Sequence, residues 1–362
     1  MTYKSRRECR PRLTAVAYSF AAITMLCACA RSESRDVASV ATNELRLNGA
    51  GATFPYPVYT RWFSHFADAG GARINYQSVG SGAGIRALLA DSVDFAATDV
   101  PLEKHERTAM ASRGIRQVPL VVGGAAVTYH VPSLPQQLRL DGPVLGDIML
   151  GRIRMWNDAR LVAMNPDVEL PAERIRVITR ADTSGTSWII TDFLSRQSEG
   201  WAAGPGRSRY PAWPVGTPVR GNEGVASEVK VTPYSMGIVE AVYAMQNRMP
   251  VARIRNHAGA WVTPQTGGLR AAASAMLSSI DDTVEFATSI SDAPGVASYP
   301  IASLSWLLVP VRGRDSARVA ATTAFVRWAL EQGENDALAL GYAPLPDSMR
   351  ATLLRAWKPA AR

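Results

Sequence analysis

Cysteine is absent from the sequence after residue 29: the three present, Cys9, Cys27 and Cys29, all fall in the first thirty residues. The body of the chain therefore has neither a disulfide framework nor a thiolate metal site. Histidine is scarce as well. His65, His105, His130 and His257 are the only four, and none has H-x-x-x-H spacing, so a zinc site or a triad base has little support. No apolar run after the leader is long enough to cross a bilayer. The sequence contains no G-x-x-x-x-G-K-[ST] and no G-x-S-x-G. Neither "GAGATF" nor "GSGAGI" completes G-x-G-x-x-G. A nucleotide site and a serine hydrolase are both disfavoured, and no metal or cofactor is expected. No internal repeat is visible.

What is present begins with an address. Lys4, Arg6, Arg7, Arg10 and Arg12 against Glu8 precede the apolar run "LTAVAYSFAAITMLCACA", and a polar stretch follows. A basic start, an apolar middle and small residues at the end are the parts of a secretory signal. An uncleaved N-terminal anchor is the alternative that the length of the run leaves open. "Leu26-Cys27-Ala28-Cys29" resembles a bacterial lipobox with Cys29 as the lipidated residue. Residues 1–28 then read as a lipoprotein signal and 29–44 as a tether, holding a soluble domain at a periplasmic or cell-surface membrane. The leader carries half of the net charge of +8, so the remainder argues only weakly for a polyanion, and nucleic acid is not expected as a partner.

Beyond the tether, 47% hydrophobic and 19% charged residues are ordinary for a chain that buries a core, and 362 residues suggest about two domains. Strand and helix patterns alternate. "ELRLNGA", "ARINYQSVG", "VDFAATDV", "IRQVPLVVGGAAVTYHV", "RIRVITR" and "YPIASLSWLLVPV" read as strands. "PVYTRWFSHFADAG", "AGIRALLADS", "LEKHERTAMASR", "GTSWIITDFLS" and "DSARVAATTAFVRWALEQGENDALALGY" read as helical stretches. The pattern predicts α/β architecture with a largely parallel sheet. Residues 199–222, rich in Gly, Pro and Trp, read as a surface loop.

Three strand-to-helix turns are built alike: "GAGATFPYP" (49–57), "SVGSGAG" (78–84) and "RADTSGTS" (180–187). Each has glycine for close backbone approach and a hydroxyl near a helix start: Thr53, Ser81, and Ser184 with Thr186. Helix N-termini of this kind can hold an oxyanion, although a lone hydroxyl there is ordinarily an N-cap. The third turn adds a guanidinium, Arg180. Asp99 ends the third strand. Either it caps a helix beginning near Pro101, or it sits beside the anion site, where it would favour a ligand with a proton to donate. Phosphate keeps a proton near neutral pH and sulfate does not. A buried group built for one hydrogen bond can reject a ligand lacking it by roughly 10⁴–10⁵-fold. Asp94 reads as a structural loop residue.

These motifs, with "LGDIMLGRIRMWND", "GNEGVA", "MGIVEAVYA" and "YAPLPDSM", make the chain from about residue 45 to 357 resemble the phosphate-binding proteins of high-affinity phosphate ABC importers. These are two-lobed periplasmic binding proteins of type II. The resemblance implies two α/β domains joined by two crossover strands, near 121–128 and 298–306. Lobe I would be 45–124 plus 300–362, and lobe II 125–299. It implies that Thr53, Phe54, Ser81, Asp99, Arg180, Ser184, Gly185 and Thr186 contact phosphate. Asp182 would hold the guanidinium, with capping of the following helix as its alternative. It also implies a monomer that delivers inorganic phosphate to a membrane permease and is not an enzyme. Thr179 and Thr183 depart from the common pattern, where arginine and glycine are frequent. A binder of another oxyanion, a phosphate-responsive sensor or adhesin, and an extracellular phosphatase on a related scaffold stay open as alternatives.

Overall fold

Ile115–His130, the longest apolar strand pattern, forms one 16-residue strand buried along nearly its whole length, and the other elements are arranged about it. The computed structural model describes residues 45–132, 134, 138–277, 286–312 and 315–357. The leader, Cys29 and the tether lie outside the described residues.

In chain order come β1 (Arg46–Gly51), α1 (Tyr56–Asp68), β2 (Arg73–Ser78), α2 (Ser81–Leu89), β3 (Phe95–Thr98), α3 (Lys104–Ser112) and β4 (Ile115–His130). They are followed by β5 (Arg139–Leu140), α4 (Gly142–Met149), α5 (Ala159–Met164), β6 (Arg176–Arg180), α6 (Gly185–Gln197), α7 (Glu199–Ala203) and β7 (Thr217–Val219). Next are α8 (Gly221–Val231), β8 (Ser235–Glu240), α9 (Ala241–Gln246), β9 (Arg253–Arg255), β10 (Trp261–Val262) and α10 (Thr266–Ala275). The last are β11 (Ala302–Pro310), α11 (Ser316–Gln332), α12 (Glu334–Leu340) and α13 (Asp347–Ala356).

Among the described residues, eight strands form a sheet in the order β2-β1-β3-β11-β4-β8-β6-β7, and β10-β9-β5 form a small second one. The sheet is parallel only toward its two ends, where β1 pairs with β2 and β3, and β6 with β7 and β8. Its centre is antiparallel, which differs from the largely parallel sheet that the alternation predicts. The cause is the pairing of β4. Residues Ile115–Gly124 pair with β11, and Ala125–His130 continue along β8. A chain that leaves one half of the sheet along β4 and returns along β11 must run oppositely in the two strands.

The half carrying β1–β3 is packed by α1. Tyr59, Trp62, Phe63 and Phe66 recur at helical spacing and are buried on one face. Phe63 and Phe66 meet Phe325 of α11 with ring centroids 5.1 and 5.4 Å apart. The stretch 315–342, read as helical throughout, breaks at Gly333. The Trp62 indole donates to the Gly333 carbonyl at 2.9 Å, and a Cβ there would lie 2.6 Å from Ala329 O. Residues 199–222 are no surface loop either, since they contain α7 and β7. Trp201 is fully buried and packs on Trp213, whose indole donates to the Arg180 carbonyl at 3.1 Å. Glycine and proline density suggested a loop, but the two tryptophans anchor the segment beneath the end of β6.

Candidate functional site

The three turns converge from both halves of the sheet. Thr53 and Phe54 join β1 to α1, Ser81 opens α2, and Ser184, Gly185 and Thr186 join β6 to α6, with Asp99 just past β3. All seven are buried. The approach is close. A Cβ on Gly185 would lie 2.5 Å from Asp99 Oδ2, and one on Gly82 would lie 2.4 Å from Thr183. Gly82 N–H also donates to the Thr183 carbonyl at 3.3 Å, so Thr183 faces α2 across the site. Thr179 instead lies buried on β6, close to Gly216.

The three turns differ in which hydroxyls serve as helix caps. α1 has Pro55 at its N-cap and α2 has Gly80, with no side-chain cap bond at either. The hydroxyls of Thr53 and Ser81 are therefore not used as caps. Ser81 Oγ is buried without a well-formed hydrogen bond, although it lies close enough to Asp99 to lower that residue's pKa. Ser184 does cap α6, accepting from Ser187 N–H at 3.1 Å. Asp99 caps nothing. The helix that follows it starts at Lys104 with Glu103 as its N-cap. Ser305 Oγ donates to Asp99 Oδ1 at 2.9 Å, and Ser303 Oγ to its carbonyl at 2.9 Å.

Arg180 is buried and gripped by Asp182, with Nε donating to Oδ1 at 2.7 Å and NH2 to Oδ2 at 2.5 Å. This two-bond pairing locks the guanidinium plane. Asp182 Oδ1 also accepts from Gly221 N–H at 3.2 Å, and the side chain does not cap α6. Burial would raise the Asp182 carboxyl, but the Arg180 bonds and charge with the Gly221 N–H overcome it and hold it below the ordinary range. Asp99 shifts the other way. Burial pushes it up to about 7, against the lowering effects of Ser305, Arg180 and Ser81. The site thus contains a fixed cation, helix N-termini and one carboxyl poised to hold or release a proton. Among the described residues no cluster of three or more His, Cys, Asp or Glu could hold a metal.

Reading the turns alone misses a ring of supporting residues. Asn222 donates to Thr53 Oγ1 at 2.8 Å and to Thr186 Oγ1 at 3.3 Å. Tyr243 Oη donates to the Thr53 carbonyl at 2.6 Å, and Tyr342 Oη to the Phe54 carbonyl at 2.7 Å. Arg209 forms a two-bond ion pair with Glu106 on α3 at 2.5 and 2.7 Å, and its own carbonyl accepts from Ser184 N–H at 2.8 Å. Asn222, Tyr243 and Tyr342 stand within "GNEGVA", "MGIVEAVYA" and "YAPLPDSM", but nothing in those strings indicates their targets. Asp94 lies away from the site, accepting from Asn48 N–H and Arg318 at 2.7 Å each.

Two halves of one sheet enclosing a buried site built from helix N-termini and a fixed guanidinium define a solute-binding protein of the two-lobed type. The PBP superfamily domain matches residues 36–332. The phosphate-binding protein PstS of Xylella fastidiosa (strain Temecula1) is 37% identical over 317 residues, covering 87% of this chain and 86% of its own length. That of Haemophilus influenzae is 36% identical over 313 residues, covering 86% and 92%. The crystal structure of a phosphate-binding protein from Stenotrophomonas maltophilia superposes with a TM-score of 0.63 at 17% identity, covering 86% of this chain and 93% of that one. The chain belongs to the PstS phosphate-binding protein family within the PBP superfamily.

Proposed function

We propose that this protein captures inorganic phosphate between its two lobes, 45–124 with 300–362 and 125–299, and delivers it to an ABC permease. Thr53, Phe54 and Ser81 would contact the anion from lobe I, and Arg180, Ser184, Gly185 and Thr186 from lobe II. The observation that carries this reading is Asp99. It is a buried carboxyl set by Ser305, directly opposite the N-terminus of α6 and within the field of Arg180. A carboxylate placed there repels an anion unless it receives a hydrogen bond from that anion. Protonated phosphate supplies one and sulfate does not. The leader and Cys29 support export to the periplasm or cell surface with a lipid anchor. Capture and delivery require no bond to be made or broken, so in this reading the protein is a binder and not an enzyme, acting as a monomer.

The test is calorimetric titration of leaderless, anion-stripped protein with phosphate and then sulfate near pH 8, with Asp99→Asn alongside. Tight phosphate binding without sulfate heat is expected for the natural chain, and loss of that discrimination for the variant. Equal binding of both anions by the natural chain would remove the role given to Asp99. Failure to bind either would overturn the phosphate-binding reading and leave an adhesin role that needs no anion. Co-purification of a permease with the anchored protein tests delivery.

A further inference from the structure

Asn222 touches residues of both halves of the site. It is the second residue of α8 and is wholly buried. The backbone N–H of Glu240 donates to its Oδ1 at 2.9 Å. A backbone N–H can only donate, so it orients the amide and leaves the nitrogen facing the site. That nitrogen donates to Thr53 Oγ1 at 2.8 Å and lies 3.3 Å from Thr186 Oγ1, whose own hydroxyl donates back to Asn222 Oδ1 at 3.4 Å. One hydroxyl belongs to the β1–α1 turn and the other to the β6–α6 turn, so a single amide bridges the two loops.

We infer that Asn222 is a positioning residue for the anion: by donating to the Thr53 hydroxyl it leaves that hydroxyl its own proton to give to the ligand. A hydroxyl has one proton and two lone pairs. Once a lone pair is engaged by an obligate donor, the proton must turn elsewhere. For Thr53, whose carbonyl is already occupied by Tyr243, the direction left is the anion. Tyr243 acts on the same turn from the other side. In a planar trans peptide the carbonyl and the following N–H point to opposite edges, so gripping the Thr53 carbonyl aims the Phe54 N–H away from Tyr243. Neither Asn222 nor Tyr243 needs to touch phosphate to set the polarity of the groups that do. The inference rests on the phosphate-binding reading above and adds to it how the Thr53 hydroxyl becomes a donor.

The experiment is a double-mutant cycle on the leaderless protein: Asn222→Ala, Thr53→Val and the pair, titrated calorimetrically with phosphate. Thermal unfolding without phosphate is measured for each. Losing a charge-assisted hydroxyl donor makes Asn222→Ala cost roughly 10–100-fold in affinity. Because Asn222 acts through the Thr53 hydroxyl, the same change in the Thr53→Val background should cost only a few-fold. Full additivity, or an Asn222→Ala protein that binds as tightly as the natural chain, overturns the inference. If Asn222→Ala does not fold, Tyr243→Phe takes its place. It keeps the ring and should lower affinity several-fold in both Thr53 backgrounds, since its target is the backbone; unchanged affinity counts against the positioning scheme. If the natural chain itself binds no phosphate, the functional reading fails first and is recognised separately.

Discussion

Asp99 is the residue at which the proposed binding role and stability conflict. Its folded pKa of about 7 lies above the ordinary 3.8, because burial disfavours the charge. Below pH 3.8 both folded and unfolded chains hold the proton, and nothing is lost. Between that value and 7 the folded state holds a proton that the unfolded state has released, so stability falls as pH rises. Above 7 the full cost applies, on the order of 4 kcal/mol from the size of the shift. Asp99→Asn should therefore melt several degrees higher than the natural chain at pH 8 without ligand, and the two should converge toward pH 4. Scanning calorimetry at the two pH values checks this; parallel profiles would mean that the site is wetter than its burial indicates. On the proposed function, the same titration would make sulfate a conditional ligand. Once protonated, Asp99 becomes a donor, so sulfate affinity should rise as pH drops from 8 to 5 while phosphate changes less.

At the scale of the element, α6 shows how a helix start serves two purposes. Ser184 satisfies the Ser187 N–H, and the following glycine lets the turn approach Asp99. Gly185→Ala would put a methyl 2.5 Å from a carboxylate oxygen whose side chain Ser305 already holds. Overpacking of that kind costs about 1–3 kcal/mol. Phosphate affinity should fall roughly 10–100-fold, with little change in helix content by circular dichroism. Retained affinity would show that the two loops can separate without losing the ligand. The turns themselves were legible as candidates from glycine, hydroxyl and arginine in "RADTSGTS". Whether each hydroxyl caps or donates was not, because an N-cap and an anion donor use the same residue types at the same offsets.

For the whole molecule, the proposed capture of phosphate predicts closure. The Arg209–Glu106 pair, each side chain 11% exposed, joins α3 to the segment beside Ser184. Burial would raise Glu106, but the bonds and charge of Arg209 and the Glu103 N–H bring it below the ordinary range. This pair spans the two halves of the sheet and would act as a clasp in the proposed closure. Glu106→Gln should speed phosphate release about tenfold and leave association nearly unchanged, as stopped-flow kinetics would reveal. Small-angle scattering should show compaction of the natural chain on adding phosphate. The variant should need more phosphate to reach the same state. Identical titration curves would place the clasp outside the closing motion.

The sequence by itself determined the principal strands and helices that carry the three turns, and which chemistries are disfavoured. Apolar periodicity located β1, α1, β4 and α6 to within a few residues, and the scarcity of histidine and cysteine argued against a metal centre or a nucleophile–base pair. Tertiary structure alone decided how the polar groups are used. Asn222 and Thr53 are 169 residues apart, Tyr243 and Thr53 190, Ser305 and Asp99 206, and Tyr342 and Phe54 288. A side-chain hydrogen bond is directed by whatever donor or acceptor the fold brings within 3 Å, and burial determines its worth. Neither quantity belongs to a local string of residues, so the same letters could have made three capped helices. The fold brought them together around one buried site.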